Sequence, residues 1–215
     1  MEISPSEEDD SQIEEDFDEK LKLMILGDSD VGKTSILRKY CKNEFLGSYV
    51  ATIGIDFQLK YLNINDKKIK IQIWDTAGEE RYRVVTKNYF NTSDGFIIIY
   101  DITNRESFDN INNWIEQINT LVGNKTKCII FGNKNDLTHL RKVETNEGEE
   151  LAKQYKYKFY ETSAKDGCNI EDGFYNIVMD ILEDIEPIHF KRKNTSILKP
   201  QKYKKKKEKK KNCCS

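Results

Sequence analysis

The stretch GDSDVGKT, at residues 27–34, decides the fold of this 215-residue chain. It matches the pattern GxxxxGK[ST] and follows an apolar run, residues 21–26, that is typical of a buried strand. Glycines let the backbone wrap around an anion with its N–H groups pointing inward, and the N-terminus of a following helix adds partial positive charge. Residues 35–41 contain no glycine or proline, as that helix requires. We therefore predict a loop that binds a nucleoside triphosphate. The alternative interpretation is an ordinary glycine turn before a surface helix.

Three further motifs follow strand-like segments and indicate which nucleotide binds. DTAG, residues 75–78, places a carboxylate and a glycine N–H at a strand end, where Mg²⁺ and a γ-phosphate can be met. In NKND, residues 133–136, the Asp136 carboxylate can accept both the N1 and the 2-amino hydrogens of guanine, a pair that adenine does not present. ETSAK, residues 161–165, can close over the base through the Ala164 backbone. Any one of these motifs is also compatible with a common polar turn, but their joint order is not.

Together these motifs resemble those of Ras-superfamily small GTPases, over about residues 21–185. Other segments resemble those that mark Rab proteins, regulators of vesicle traffic: IGIDF at 53–57, KIQIW at 70–74, RYRVVT at 81–86, IYDIT at 99–103 and the terminal pair Cys213-Cys214. The resemblance implies a Mg²⁺-dependent switch that hydrolyses GTP to GDP and phosphate, with two mobile loops that report the bound nucleotide.

Site residues follow by matching the motifs position by position. The resemblance implies a nucleotide site formed by Gly27, Asp28, Ser29, Asp30, Val31, Gly32, Lys33, Thr34, Ser35, Phe45, Tyr49, Thr52, Gly78, Asn133, Lys134, Asp136, Ser163, Ala164 and Lys165. The expected Mg²⁺ ligands are Thr34, Thr52 and Asp75. The expected catalytic residues are Lys33, Thr52, Gly78 and Glu79. The residues expected to be read by effectors are Ile53, Phe57, Trp74 and Tyr89.

Three of these residues have more specific roles by resemblance. Thr52 would meet Mg²⁺ through its hydroxyl and the γ-phosphate through its N–H. Phe45 would stack edge-on to the guanine, and Tyr49 would cover the phosphates.

Strand-like and helix-like segments alternate, which predicts an α/β, doubly wound architecture. We expect a single-domain small-GTPase-like P-loop fold with a mostly parallel six-stranded sheet and helices on both faces. The predicted strands lie near residues 21–26, 56–64, 68–74, 95–100, 127–132 and 158–161. Apolar periodicity predicts one helix over Ser107 to Leu121, with Trp114 among its core residues, and another over Ile170 to Ile185, closed by Pro187.

Charge is distributed unevenly although the net charge is only −2. Residues 1–20 carry ten acidic side chains and one basic one, whereas residues 191–215 carry twelve basic and one acidic. We expect residues 1–20 to be an acidic disordered tail, 21–190 the GTP-binding domain and 191–215 a basic hypervariable tail. The five cysteines have no spacing suited to zinc and there is no signal peptide, so a reducing, cytosolic compartment is expected.

Near the end of the chain, Cys213 and Cys214 resemble the double geranylgeranyl acceptor of Rab proteins, and a single trailing Ser215 is a less usual spacing. The fourth residue from the end is Asn212, so the simple CaaX signal is absent. Lysines between 202 and 211 would strengthen binding to an anionic leaflet. Compositional bias and a nuclear-localisation-like run are the alternatives. We expect a lipid-anchored protein of the cytosol and the cytoplasmic face of an intracellular or plasma membrane.

The chain departs from the Rab pattern at three places. Glu79 stands where glutamine is usual. A carboxylate cannot donate to the phosphate oxygens unless it is protonated, which should slow intrinsic hydrolysis, whereas its greater basicity should speed it. The sign of the effect on hydrolysis therefore stays open. Asp30 stands where glycine is common, and its charge should weaken nucleotide binding. Residues 89–93, YFNTS, replace a segment that usually contains Arg-Gly.

Two functional interpretations follow. The first is a cycling Rab-type switch whose partners are a guanine-nucleotide exchange factor, a GTPase-activating protein, an escort protein, a GDP-dissociation inhibitor and effectors. The alternative is a hydrolysis-poor GTP-binding membrane scaffold, because of Glu79. An adenine-specific P-loop enzyme is a remote third, contradicted by NKND. We expect a monomer that binds no nucleic acid.

Overall fold

The computed structural model describes residues 16–47, 55–76, 89–123 and 126–185. Its strands are β1 (Glu19–Leu26), β2 (Ile55–Ile64), β3 (Lys67–Thr76), β4 (Gly95–Asp101), β5 (Lys127–Asn133) and β6 (Lys158–Glu161). Its α-helices are α1 (Lys33–Lys42), α2 (Arg105–Asp109), α3 (Ile111–Leu121), α4 (Thr145–Tyr155) and α5 (Ile170–Ile185), and a 3₁₀ helix spans Asn135–Leu140.

The six strands form one sheet in the order β2-β3-β1-β4-β5-β6. All neighbouring pairs are parallel except β2 with β3, which are antiparallel. Asn65 and Asp66 connect that pair with φ angles of 50° and 66°, as a two-residue hairpin turn requires. The predicted mostly parallel six-stranded α/β fold is confirmed.

Two hydrophobic layers cover the sheet because its central strands are apolar on both faces. Every residue of β4 is buried. On one face, alternate residues of β1 and β3 pack against α1 and α5. On the other face, β4 and β5 pack against α3 and α4. The carboxyl ends of the parallel strands therefore meet at one edge of the sheet, where the nucleotide motifs lie.

Several predicted boundaries differ from the structure, and two of the differences have a clear physical reason. The single helix predicted over 107–121 is wrong, because α2 ends at Asp109 and α3 begins at Ile111. The Asn104 side chain accepts a hydrogen bond from the Glu106 N–H at 3.1 Å and so caps α2 before the apolar periodicity starts. β1 begins at Glu19 rather than at Leu21, because its pairing with β3 starts there.

None of the helices described in residues 16–185 combines the length and hydropathy that crossing a bilayer requires. Residues 1–15 and 186–215 lie outside the described ranges, so the tails predicted there and the closing Pro187 stay predictions. Glu19 and Lys20, which were predicted in the acidic tail, are instead part of β1.

Candidate functional site

The phosphate-loop motif connects β1 to α1, and its two glycines stand where no other side chain fits. Gly27 has φ +143°, and a Cβ there would lie 2.2 Å from the Ile99 carbonyl oxygen. Gly32 has φ +94°, and a Cβ would lie 2.5 Å from Asn133 Nδ2. Left-handed backbone angles and close approach both require glycine. The loop is thus packed directly against the ends of β4 and β5.

Lys33, the first residue of α1, is 6% exposed. Its ammonium donates to the carbonyl oxygens of Gly27 at 2.8 Å and Asp28 at 2.6 Å, so it lies inside the curve of the loop. Burial lowers the pKa of Lys33 to about 8, although nearby carboxylates, led by Asp75, act in the opposite direction. A buried ammonium that donates to two carbonyl oxygens among the described residues is well placed to bind an anion.

Thr34 and Asp75 come together from distant parts of the chain. The Thr34 hydroxyl donates to Asp75 Oδ2. Thr34 is at the start of α1 and Asp75 is near the end of β3, where it is 1% exposed. A hydroxyl and a carboxylate at this edge form the hard oxygen donor set that Mg²⁺ prefers.

Asp28 is held from outside the loop. Trp114 Nε1 donates to one carboxylate oxygen at 2.9 Å, and Asn110 Nδ2 donates to the other at 2.7 Å. Apolar periodicity predicts Trp114 as a core residue, whereas its indole N–H bonds Asp28, and no sequence pattern indicates the contact of Asn110. The available signal was the carboxylate inside the loop motif, which needs donors once the loop folds.

Asn133, at the end of β5, joins two motifs and is 1% exposed. Its Nδ2 donates to the Val31 carbonyl oxygen at 2.8 Å. Its Oδ1 accepts from the Ala164 N–H at 3.3 Å and from the Thr162 hydroxyl at 3.4 Å. One amide side chain therefore spans the phosphate loop and the ETSAK segment.

The predicted base-selecting residues also come together. Ser163 Oγ donates to Asp136 Oδ1 at 2.8 Å, and Lys165 Nζ lies 3.9 Å from Asp136 Oδ2. Lys134 has a left-handed φ of 69°, and its ammonium lies 2.7 Å from Asp101 Oδ2. The Asp136 carboxylate is thus oriented by Ser163, with the Lys165 ammonium farther away in the same loop.

An ion pair between Arg141 and Glu161 supports that loop, and sequence analysis did not predict it. Arg141 donates to Glu161 Oε1 at 2.5 Å and to Oε2 at 2.9 Å. The two side chains are 14% and 12% exposed. Thr145 also donates to Glu161, at 2.9 Å. Glu161 opens ETSAK, so this pair fixes the start of the segment that carries Ser163.

Three predicted effector-reading aromatics, from β2, β3 and the segment before β4, lie side by side. The Phe57 and Trp74 ring centroids are 5.1 Å apart, and those of Trp74 and Tyr89 are 4.6 Å apart. Phe57 is 44% exposed. Lys22 Nζ lies 4.7 Å from the Trp74 ring and 4.9 Å from the Tyr89 ring. The trio forms one continuous aromatic surface.

The remaining predicted residues divide into two groups. Ser29 and Asp30 are exposed in the loop, Ser35 is half-buried in α1, and Phe45 is 43% exposed beyond it. Asp30 has a φ of 64°, so aspartate occupies a left-handed position. The residues that lie outside the described ranges are Tyr49, Thr52, Ile53, Gly78, Glu79, Cys213 and Cys214.

Comparison with known proteins gives consistent findings. A sequence model of the Ras family matches residues 22–183. Human "Ras-related protein Rab-8B" is 44% identical over 166 residues, which cover 77% of this chain and 80% of the relative. "Ras-related protein Rab-3C" from Bos taurus is 45% identical over 171 residues, which cover 80% of this chain and 75% of the relative.

Proposed function

This chain belongs to the Ras family and is a Rab-type small GTPase of vesicle trafficking, and we propose that its GTP site is formed by the loop, β3, NKND and ETSAK residues described above. The observation that carries the proposal is the Asn133 side chain, which bonds both the phosphate loop at Val31 and the base-side segment at Ala164. A single ligand with phosphates at one end and a base at the other fits that arrangement.

The phosphate half of the proposed site uses the curve of the loop. Lys33 would leave its two carbonyl partners and take the β- and γ-phosphates, a stronger charge-assisted interaction. Thr34 and Asp75 would hold Mg²⁺, directly or through water, with Thr52 as the third proposed contributor. Bound there, Mg²⁺ would neutralise charge on the phosphates during hydrolysis.

At the base half, Asp136 would accept the two N–H groups on the Watson–Crick edge of guanine. The Ser163 hydroxyl holds its carboxylate, so the acceptor is oriented before the base arrives. Adenine offers no matching pair of donors and would leave the carboxylate unsatisfied. Phe45 would contact the ring, and Tyr49 would cover the phosphates.

We further propose the regulators that a cycling switch requires: exchange factor, activating protein, escort protein and dissociation inhibitor. Effectors would read Ile53 with the aromatic surface of Phe57, Trp74 and Tyr89, whose contacts support that role. Geranylgeranyl groups on Cys213 and Cys214, with the basic residues before them, would anchor the chain to a membrane.

Substitution of Glu79 distinguishes this function from that of a hydrolysis-poor scaffold. The similarity to known Rab proteins does not favour the scaffold. Single-turnover hydrolysis of preloaded GTP with Mg²⁺ should be measured on the native chain and on Glu79→Gln, with and without a Rab-type activating domain. We expect slow hydrolysis by the native chain alone and acceleration by the activating domain, which supplies an arginine.

An inert native chain under every condition, beside an active Glu79→Gln variant, would instead identify the scaffold. A parallel titration with ATP and GTP tests base selection. Comparable affinities for the two nucleotides would remove the role proposed for Asp136.

A further inference from the structure

One sheet face carries a cluster of lysines that no nucleotide motif uses. Lys20 and Lys22 of β1 lie on the same face as Lys68 and Lys70 of β3, because β1 pairs Lys20 with Lys70 and side chains alternate along each strand. We call these four residues the basic sheet face. Lys20 is exposed and the other three are partly exposed.

The described helices leave this face open. Among them, α1 alone packs substantially against β2 and β3, and it lies on the opposite face, with Ile69 and Ile71. The ammonium groups of Lys20 and Lys22 are close enough to affect each other. Burial has the largest effect and lowers the pKa of Lys22, the charge of Lys20 lowers it further, and the Asp94 carboxylate raises it. Asp94 and Asp18 each accept a backbone N–H at the rim, from Lys22 and Lys68.

The chain approaches this face from its N-terminal side. Asp18 N–H donates to the Lys68 carbonyl oxygen at 2.8 Å. One residue earlier, the Phe17 ring lies 4.9 Å from Lys70 Nζ. Residues 1–15, which lead into Phe17, contain seven acidic side chains and no basic one. The most acidic segment of the protein is therefore tethered beside its most basic sheet face.

We propose that the acidic segment of residues 6–15 docks intramolecularly on the basic sheet face. Ten residues reach about 33 Å when extended, whereas β1, β3 and β2 together are about 10 Å across, so the reach is ample. Tethering gives an effective concentration on the order of millimolar, at which individually weak ion pairs become populated. Opposite charge, the short tether at Phe17 and a face that the described helices leave uncovered all favour this segment over a separate partner.

Docking has a consequence for the neighbouring aromatic surface. Lys22 contacts both the Trp74 and the Tyr89 rings, so a segment held on the lysines borders that surface. The segment would then compete with effectors that approach along β3. This consequence rests on the proposed function, but the docking itself does not.

The test is NMR on the isotope-labelled full chain loaded with GDP, observing the backbone amides of residues 6–15. We compare the native chain, Lys20→Gln/Lys70→Gln, and the matched control Lys142→Gln/Lys153→Gln, which removes two exposed lysines elsewhere. The native chain and the control should give the same amide shifts. The Lys20/Lys70 variant should move them toward the values that the native chain shows at about 0.5 M salt, where exposed ion pairs are screened.

A reciprocal variant leaves the folded part untouched: Glu7→Gln/Glu8→Gln/Asp9→Asn/Asp10→Asn should shift the amides of Lys20 and Lys70 but not those of Lys142 and Lys153. Identical spectra of residues 6–15 in the native chain and the Lys20/Lys70 variant would overturn the proposal. Shifts that vary with protein concentration would also overturn it, because they would assign the occupant to a second copy.

Discussion

Trp114 Nε1 donates to Asp28 Oδ1 at 2.9 Å and so ties α3 to the phosphate loop. Replacing Trp114 by Phe keeps a ring but removes this donor. Hydrogen bonds to charged groups contribute about 1.5 kcal/mol or more, so we expect GDP to dissociate about tenfold faster. Displacement of a fluorescent GDP measures the rate. Tyr155→Phe serves as the control. It removes a 2.9 Å hydrogen bond from Tyr155 to Asn112, which lies on α3 as Trp114 does. Equal acceleration by both variants would show a general loosening of α3 instead.

Asp30 occupies a left-handed position, at φ 64°, within the loop that would hold the phosphates. Its negative charge should speed GDP release, so Asp30→Gly should release GDP more slowly than the native chain. Asp30→Asn separates the effect of charge from the effect of backbone conformation, because asparagine also tolerates left-handed angles but is neutral. We expect Asp30→Asn to behave like the glycine variant. Equal off-rates in all three chains, measured by fluorescent-GDP displacement, would rule out a charge effect.

Lys33 should make GDP binding depend on alkaline pH. Burial lowers the pKa of Lys33 to about 8 in the nucleotide-free chain, and phosphates favour the ammonium form. Above that pH, binding must therefore take up a proton, and affinity should fall by up to about tenfold per pH unit. Below it, Lys33 is already charged and affinity should be nearly constant.

Calorimetry in two buffers of different ionisation enthalpy measures that proton uptake, and the pH range should stay below the ionisation of guanine itself. Lys33→Arg is the control, because a guanidinium stays charged: we expect weaker binding that does not vary with pH. A native chain without proton uptake between pH 8 and 9 would contradict the role of Lys33.

Substitution of Glu161 should lower the free energy of unfolding more than substitution of most charged residues does. Arg141 and Glu161 are 14% and 12% exposed, so Glu161→Gln leaves a guanidinium poorly compensated and should lower the free energy of unfolding by about 2–4 kcal/mol. Asp184→Asn breaks the more exposed pair with Lys127 and should cost less than about 1 kcal/mol. Urea denaturation at saturating GDP compares them. Similar costs for both variants would show that burial of the first pair is unimportant.

Sequence patterns predicted the sheet well because β4 and β5 are apolar runs followed by polar residues, whereas β2 and β3 alternate polar and apolar residues. All six strands appear near their predicted positions. The break between α2 and α3 at Asn110 could not be predicted from apolar periodicity. That pattern reflects the buried face of α3 and not the side-chain cap at Asn104. Among the described residues, those of the phosphate loop, β3, NKND and ETSAK lie together at the sheet edge. Contacts between residues far apart in sequence, such as Asn110 with Asp28, depend on the tertiary fold and leave no periodic signal.

The Asn133 amide forms hydrogen bonds at both of its ends, and this has a thermodynamic consequence for the binding of nucleotide fragments. Val31 and Ala164 bond to opposite ends of the same rigid amide, so ordering one segment restrains the other. Guanosine should then lower the entropy cost of binding pyrophosphate, and pyrophosphate should do the same for guanosine. The intact nucleotide would therefore bind more tightly than the sum of its separated halves predicts, beyond the advantage of their covalent connection.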